Sequence, residues 1–183
     1  MKNKGFEDIG FAKIDHHRPL RKGFPEVIYC AGKTPQQVTQ IAQKIWKNGQ
    51  DVLATRADKK HSQAVKKVLN KAEYFEVARI IRIQNTEHRT QNTEHRIAVV
   101  TAGTSDLPVA EEAAVTAEFL GLKVEKFYDV GVAGIHRLVH NLDKIKKARV
   151  LIVVAGMEGA LPSVIGGMVD KPIIAVPTSV GYG

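Results

Sequence analysis

Hydrophobic and polar positions along the chain predict strands and helices in regular alternation. In the first half, three apolar runs are expected to form strands, at residues 26–32, 51–57 and 74–83. Apolar residues recur at helical spacing after Thr34, which has a typical N-cap side chain, and again over residues 60–72. This alternation indicates a small α/β domain over residues 1–83.

Residues 84–96 contain the same six-residue sequence twice. QNTEHR occupies residues 84–89 and again 91–96, and a polar repeat of this length is too short to be a unit of a solenoid. We interpret the segment as a duplicated, solvent-exposed linker that marks a domain boundary. His88 and His95 are then accidental copies, and a role as metal ligands is not expected.

From residue 97 the alternation of strands and helices is clearer. IAVVTAG is a continuous apolar run, as a strand buried on both faces requires. Further strands are expected over 124–130, 150–155 and 173–176, with helices after the first strand and over 135–148 and 162–169. Because strands and helices alternate with short connections, the predicted fold is α/β. It is a three-layer α/β/α parallel sheet, flavodoxin-like or Rossmann-like, over residues 97–183.

Composition places the chain among ordinary soluble globular proteins, with 183 residues, 44% of them hydrophobic. No apolar run reaches the roughly 18 to 20 residues that span a bilayer, so a cytoplasmic protein without a membrane partner is expected. The single cysteine, Cys30, lies within an apolar run and is expected to be an inert, buried thiol.

The net charge of +8 raises the question of nucleic acid binding. No aromatic residues are interleaved with the basic clusters as a stacking surface for bases would need, so we interpret these clusters as solvated helix faces. No nucleic acid partner is expected. An anionic small-molecule substrate remains compatible with the charge.

Gly-rich and polar segments follow each strand of the second domain, at the edge where parallel sheets bind their ligands. Glycine lets backbone N–H groups approach a phosphate, and hydroxyl groups add donors, so the sequence predicts a nucleotide or sugar-phosphate site. The candidate substrate-binding residues are Gly103, Thr104, Ser105, Asp106, Gly134, Arg137, Gly156, Met157, Gly159, Ala160, Pro177, Thr178 and Ser179. The alternative is that Ser105 and Asp106 only cap a helix and that the glycines only form tight turns.

Three residues of this edge could do more than bind. His136 could transfer a proton near neutral pH, Glu158 could act as an acid or base in a desolvating loop, and Arg137 could bind phosphate. The structural alternatives are a histidine at a helix start, a carboxylate at a helix N-terminus and a surface ion pair. His136 and His140 lack the intervening glutamate of a zinc-binding helix, so no catalytic metal is expected.

Segments at these loops resemble one family closely. GTSDLPVAEEAA, DVGVAGIHRL, VAGMEGALPSVIGG and VPTSVGYG are similar to the LarB family of nickel-pincer cofactor biosynthesis. They resemble, more distantly, the phosphoribosylaminoimidazole (AIR) carboxylase or PurE family, which shares the fold. DHHRPLRKGFPEVIYCAGKT and ATRA in the N-terminal domain also look like LarB, so the resemblance covers nearly the whole chain outside the linker.

The resemblance implies an enzyme that carboxylates the pyridinium ring of nicotinic acid adenine dinucleotide with CO2 or bicarbonate. The same enzyme cleaves the phosphoanhydride and releases AMP. The resemblance implies no permanently bound cofactor, and Mg²⁺ is the one metal ion that the reaction could use. It also implies a homo-oligomer, because relatives form octamers.

The resemblance also implies roles for individual residues. Ser105 and Asp106 match the phosphoribosyl-binding motif, and Asp106 is also a catalytic candidate. His136 matches the histidine of an active-site His-Arg pair, and Glu158 lies in the Gly-rich loop that lines the ring site. Glu158, His136 and Asp106 are therefore the predicted catalytic residues.

The LarB pattern continues beyond VPTSVGYG to a nucleophilic cysteine, which adds to the pyridinium ring and so prepares it to attack CO2. Cys30 does not match that position. We therefore expect a truncated form, incomplete at the C-terminal end of the second domain, that keeps part of the nucleotide site but cannot complete carboxylation. Two alternatives stay open: an AIR carboxylase or carboxyaminoimidazole ribonucleotide mutase of purine biosynthesis, and a non-catalytic nucleotide-binding protein.

Overall fold

The structure, a computed structural model, describes residues 5–85 and 92–180, with side chains from residue 96 onward in the second range. The chain divides into two compact units, one within residues 1–89 and one within residues 90–183. His88 and the side chain of His95 lie outside the described residues, so their interpretation stays a prediction. Within the described ranges, no helix combines the length and apolar character needed to cross a membrane.

The first unit contains a short antiparallel hairpin and a four-stranded mixed sheet. Its elements are β1 (Phe6–Asp8), β2 (Lys13–Asp15), α1 (Arg18–Lys22), β3 (Val27–Tyr29), α2 (Pro35–Lys47), β4 (Val52–Thr55), α3 (Lys59–Val68), β5 (Glu73–Phe75) and β6 (Ile80–Ile83). In the sheet order β3-β4-β6-β5, β3 and β4 run parallel, while β6 is antiparallel to both of its neighbours. The predicted small α/β fold is confirmed.

The helix predicted after Thr34 is confirmed as α2, and its first turn shows why it begins there. Thr34 Oγ1 accepts the backbone N–H of Gln37 at 3.2 Å, and Gln37 Oε1 accepts the backbone N–H of Thr34 at 2.9 Å. This reciprocal pair satisfies two N–H groups that would otherwise lack partners at the helix start. The helix buries Val38, Ile41 and Ile45 in one core with the sheet.

The prediction of a single strand over residues 74–83 is wrong. The chain reverses between β5 and β6, which pair antiparallel with Phe75 opposite Ile80. Arg79 adopts a left-handed backbone conformation at this turn, with φ of 53°. Apolar residues lie on both sides of the turn, and hydropathy does not show where the backbone turns. The sequence pattern therefore predicted one strand instead of two.

Cys30 is fully buried in the core of the first unit, as expected. Burial raises the pKa of its thiol to about 11, because a low-dielectric interior disfavours the thiolate. The positive charge of Lys33 offsets this effect only in part. The thiol is therefore held in its unreactive neutral form.

The second unit is a four-stranded parallel sheet between helices, which confirms the predicted three-layer α/β/α fold. Its elements are β7 (Asn92–Thr101), α4 (Leu107–Phe119), β8 (Leu122–Phe127), α5 (Ile135–Ile145), β9 (Val150–Ala155), α6 (Ala160–Gly166) and β10 (Ile173–Pro177). The strand order is β10-β9-β7-β8, and all neighbours are parallel. Residues 92–96 belong to β7 rather than to the expected linker. The sequence did not predict this start of the strand because these residues are polar.

Helix α4 covers one face of this sheet, and α5 and α6 cover the other. Val99 of β7 packs with Ala114 of α4 in one core. Val100, the next residue along β7, packs with Leu138 of α5 and Leu161 of α6 in another. Neighbouring strand residues thus face opposite layers, as strand geometry requires.

The order of the strands reverses at β7. From this strand the chain adds β8 on one side, and then β9 and β10 on the other. Connections that leave the carboxyl ends of β7 and β9 diverge at such a reversal and leave a crevice between them. The fold therefore places a ligand-sized opening at the edge where the sequence predicts a site.

The burial and raised pKa of Cys30 lead to a test with a thiol reagent. At about pH 8, about one Cys30 in a thousand is a thiolate if the pKa is about 11, against about a quarter in an unfolded chain. We expect the native protein to react with 5,5′-dithiobis(2-nitrobenzoate) at least about a hundredfold more slowly than the protein in concentrated urea. Equal rates in the two conditions would contradict the buried position of Cys30.

Candidate functional site

A cavity of about 470 Å³ lies at the carboxyl ends of β7, β8 and β9, where the strand order reverses. Small-molecule sites commonly have a volume of this order. The lining residues are Ala102, Gly103, Ser105, Asp106, Asp129, Gly131, Val132, Ala133, Arg137, Ala155, Gly156, Met157, Glu158, Ala160, Leu161 and Val180.

Asp106 is buried at the wall of this cavity, with 4% of its surface exposed. One carboxylate oxygen accepts the backbone N–H of Gly103 at 2.9 Å, and the other accepts the hydroxyl of Thr178 at 2.7 Å. The carboxylate also lies at the start of α4, where the helix dipole favours negative charge. Asp106 therefore ties the loop after β7 to the loop after β10.

Gly156 lets the loops after β9 and β10 pack backbone against backbone. A Cβ atom at this position would collide with the carbonyl oxygen of Val180 and would lie 2.8 Å from Thr178 Oγ1. The two loops also share hydrogen bonds, from the N–H of Thr178 to the carbonyl of Ala155 at 3.0 Å and from the N–H of Met157 to that of Val180 at 3.3 Å. The close approach of these two loops therefore requires glycine at position 156.

Arg137 is held at the edge of the cavity by an ion pair with Asp129, whose two charged atoms are 2.6 Å apart. The backbone N–H of Asp129 in turn donates to the hydroxyl of Thr101, a fully buried residue, at 3.0 Å. Gly134 makes room for the guanidinium, because a Cβ atom there would lie 2.6 Å from Arg137 Nε. The guanidinium is therefore seated by the protein before any ligand binds.

Two non-glycine residues that line the cavity have left-handed backbone conformations. Asp129 has a φ of 57° and Met157 a φ of 53°. This conformation is strained for residues with a Cβ atom, and such strain is concentrated at functional sites. The strain adds to the evidence that this edge of the sheet is built for a ligand.

The cavity is acidic although the chain as a whole carries a charge of +8. Three carboxylates and one guanidinium line it. Asp106 accepts two hydrogen bonds, and Asp129 is paired with Arg137. Glu158 is exposed, and no cationic side chain of residues 5–85 or 96–180 pairs with it. The site therefore presents one unpaired negative charge to a ligand.

The structure brings eight of the predicted site residues to the cavity wall. They are Gly103, Ser105, Asp106, Arg137, Gly156, Met157, Glu158 and Ala160. Two others act through neighbours, because Thr178 bonds to Asp106 and Gly134 makes room for Arg137. The cavity wall does not include Thr104, Gly159, Pro177 or Ser179. The functional roles of all these residues stay predictions.

Two expectations about catalytic candidates do not agree with the structure. His136 does not line this cavity but lines a neighbouring one, to which Arg137 also contributes. Glu158 lines the cavity but is exposed rather than desolvated.

Asp129 is the residue of this site that sequence reasoning missed. It lies two residues beyond the end of β8, at the edge where ligands bind, and its acidic side chain just after a strand was a usable signal. Among the described residues, no group of three His, Cys, Asp or Glu side chains could hold a metal ion.

Comparison with known proteins gives two family matches. Residues 6–86 match the family described as LarB/PurE-like N-terminal domain, and residues 96–182 match the family described as AIR carboxylase. Together the two matches cover both compact units.

Two relatives from Methanocaldococcus jannaschii are similar over different lengths. A protein that bears the name "Uncharacterized protein" is 42% identical over 178 residues, which cover 93% of this chain and 69% of the relative. N5-carboxyaminoimidazole ribonucleotide mutase is 37% identical over 84 residues, which cover 44% of this chain and 51% of the mutase. The chain thus spans about two thirds and about half of the lengths of these two relatives.

The bond between Thr178 and Asp106 leads to a stability test. Replacing Thr178→Val leaves one oxygen of a buried carboxylate without a donor, and we expect the free energy of unfolding to fall by about 1.5 to 3 kcal/mol in urea denaturation. Thr178→Ser keeps the hydroxyl and removes only a methyl group, so the loss should be less than about 1 kcal/mol. Equal losses in the two variants would mean that the hydroxyl does not support Asp106.

Proposed function

This chain belongs to the LarB/PurE-related superfamily, and from that premise we propose that its second unit binds the substrate of a pyridinium nucleotide carboxylase. The family matches support an activity of the carboxylase or mutase type. The finer proposal is the LarB reaction, in which nicotinic acid adenine dinucleotide is carboxylated with CO2 or bicarbonate and AMP is released. The reaction belongs to nickel-pincer cofactor biosynthesis.

The observation that carries this proposal is the unpaired carboxylate of Glu158 in an acidic cavity. The pyridinium nitrogen of a nicotinic acid nucleotide carries a positive charge, which Glu158 can attract, while the carboxylate of the same ring offsets part of this attraction. The aminoimidazole ring of the alternative substrate is uncharged, so it can accept no charge–charge attraction from the same carboxylate, although its amino group can donate a hydrogen bond to it. The sign of the free charge in the cavity therefore favours a pyridinium nucleotide.

Ser105 and Arg137 are the proposed phosphate-binding residues of this cavity. The backbone N–H of Gly103 is already donated to Asp106, so it is not available to a phosphate. Ser105 is exposed at the wall and offers a hydroxyl donor. Arg137 offers a planar guanidinium, which can bind two phosphate oxygens at once.

Asp106 is better described as a positioning residue than as an acid or base. Both of its oxygens accept hydrogen bonds from the protein, and transfer of a proton to either oxygen would disrupt one of them. The proposal therefore assigns Asp106 to the support of the phosphate loop. Glu158 remains the carboxylate of this cavity that is free to face a reacting ring.

Cys30 does not supply the nucleophile that a LarB-type reaction needs. Its thiol is fully buried in the core of the first unit, with a pKa of about 11, whereas a nucleophilic cysteine needs exposure and a lowered pKa. For this chain the proposal is therefore tested most directly by substrate binding.

A preformed Mg²⁺ site does not fit the described residues of this cavity. Mg²⁺ prefers several oxygen ligands in octahedral geometry, but the carboxylate of Asp106 is occupied by donors and that of Asp129 by Arg137. Glu158 alone is left, so the proposal uses no step that depends on Mg²⁺.

The second candidate is a mutase or carboxylase of purine biosynthesis. It is favoured by the 37% identity of 84 residues to N5-carboxyaminoimidazole ribonucleotide mutase. This candidate predicts that 5-aminoimidazole ribonucleotide binds more tightly than a pyridinium nucleotide. Calorimetric titration of the full chain with both nucleotides distinguishes the two candidates, and tighter binding of the aminoimidazole nucleotide would contradict the pyridinium proposal.

Replacing Glu158→Gln tests the charge argument. We expect nicotinic acid mononucleotide, which carries the pyridinium ring, to bind about threefold to fivefold more weakly, because an exposed ion pair contributes up to about 1 kcal/mol. Ribose 5-phosphate lacks the pyridinium ring and should bind the variant and the original protein equally. Isothermal titration calorimetry measures both affinities.

The matched control is Ser105→Ala, which removes a proposed phosphate donor at the same cavity wall. This variant should weaken both ligands to a similar extent, about fivefold for one lost hydrogen bond. If Glu158→Gln leaves the affinity for the pyridinium nucleotide unchanged, or weakens ribose 5-phosphate equally, Glu158 does not recognise the ring.

A further inference from the structure

Strand β10 forms one edge of the sheet in the second unit, and none of the described strands pairs with its outer side. It carries no charged side chain, whereas β8 at the opposite edge contains Lys123, Glu125 and Lys126. Charged residues commonly protect a sheet edge from pairing with another chain. The edge at β8 is therefore protected in this way, and the edge at β10 is not.

We propose that β10 pairs antiparallel with β10 of a second copy of this chain. Two four-stranded sheets then become one continuous sheet across a two-fold axis. The axis passes beside Ile174, which lies at the middle of the pairing and faces Ile174 of the second copy. The proposal concerns the assembly of the chain and does not depend on the substrate proposed above.

The two ends of β10 show which of its backbone groups face β9. The carbonyl of Pro172 accepts a backbone N–H from β9, and the N–H of Thr178 donates to a β9 carbonyl, each at 3.0 Å. Because successive strand residues alternate in direction, the N–H and C=O groups of Ile173 and Ala175 point away from β9. Within the described ranges, no backbone group bonds to the N–H of either residue.

These outward groups complement themselves in a register centred on Ile174. Ile173 lies opposite Ala175 of the second copy, and the two residues exchange a pair of hydrogen bonds. The same pair recurs on the other side of the axis, so every outward N–H and C=O of Ile173 and Ala175 has a partner. A register centred on Ala175 would place Ile173 opposite Pro177, which has no N–H to donate.

Ile174 supplies the apolar contact of this pairing. The residue is 54% exposed, and its β-branched side chain meets its own copy in a non-hydrogen-bonded pair, where opposite side chains are closest. No charged side chain of β10 meets its copy, so local charge does not oppose the contact. The pairing consumes β10 of both copies and leaves only the charged β8 edges, so the assembly closes as a dimer.

The dimer is expected to be weak and to be strengthened by salt. Pairing of one short strand buries less than the roughly 1,200 Å² of a stable interface, so we expect a dissociation constant of about 1 to 100 µM. Each copy carries a charge of +8, and salt screens the repulsion between the two copies. Raising NaCl from about 50 to about 500 mM should therefore lower the dissociation constant at least about twofold.

Sedimentation velocity of the full chain over about 1 to 300 µM measures this equilibrium. A chain that stays monomeric over the whole range would overturn the proposal. Assembly that continues beyond a dimer, or that weakens as salt is added, would overturn it as well.

Ile174→Lys places two like charges directly opposite each other at the axis. We expect the dissociation constant of the dimer to rise about tenfold or more. The matched control is Val139→Lys, at a residue of α5 that is also 54% exposed. It adds the same charge away from β10 and should change the dissociation constant no more than about twofold. Equal weakening by the two variants would mean that the added charge, and not the strand edge, is responsible.

Ile174→Cys tests the register without weakening the pairing through charge. In the proposed dimer its two thiols lie opposite each other, with about 4.5 Å between the Cα atoms, which is within disulfide range. Cys30 is fully buried and does not compete. Under mild oxidation we expect a covalent dimer on non-reducing gels at least about tenfold faster than with Ala175→Cys, whose copies lie diagonally about 7 to 8 Å apart.

Val139→Cys is the control for random collision in this cross-linking experiment, because Val139 is as exposed as Ile174 but lies on α5. It should form covalent dimers no faster than Ala175→Cys. If all three cysteine variants react at the same rate, the copies do not meet at β10 and the proposal is wrong. If Ala175→Cys reacts fastest, the register centred on Ile174 is wrong.

Discussion

The edge of the second unit depends on one buried carboxylate. Burial of an ionised carboxylate is strongly unfavourable unless hydrogen bonds compensate for the lost water. Asp106 meets this requirement with the N–H of Gly103 and the hydroxyl of Thr178. Because Thr178 is 72 residues away along the chain, its bond to the buried carboxylate also holds two separate loops together, while the bond from Gly103 shapes the loop of Asp106 itself.

This constraint separates the roles of the three carboxylates at the cavity. Asp106 is fixed by donors, Asp129 is fixed by Arg137, and Glu158 is exposed without a partner among the described residues. Carboxylates in one site can take different roles when their surroundings differ in this way. The first two support the shape of the site, so the proposal assigns recognition of a charged ligand chiefly to the third and to the guanidinium.

The sequence predicted the parts of this structure that depend on local patterns. The capped start of α2 at Thr34, the buried strand β9 and the parallel sheet follow from side-chain type and spacing. Local patterns could not predict which way a side chain points once loops have packed. His136 therefore turned out to lie outside the first cavity, Glu158 turned out to be exposed, and the role of Asp129 was missed.

The ion pair between Arg137 and Asp129 explains how an acidic cavity can accept a phosphate. The two side chains are 38% and 50% exposed, and an exposed pair of this kind is worth about 0 to 1 kcal/mol. Hydrogen bonds from a guanidinium to phosphate are worth more, about 1.5 to 3 kcal/mol each. In the proposed function, a phosphate would therefore compete with Asp129 for Arg137 and release a carboxylate at the wall of the same cavity.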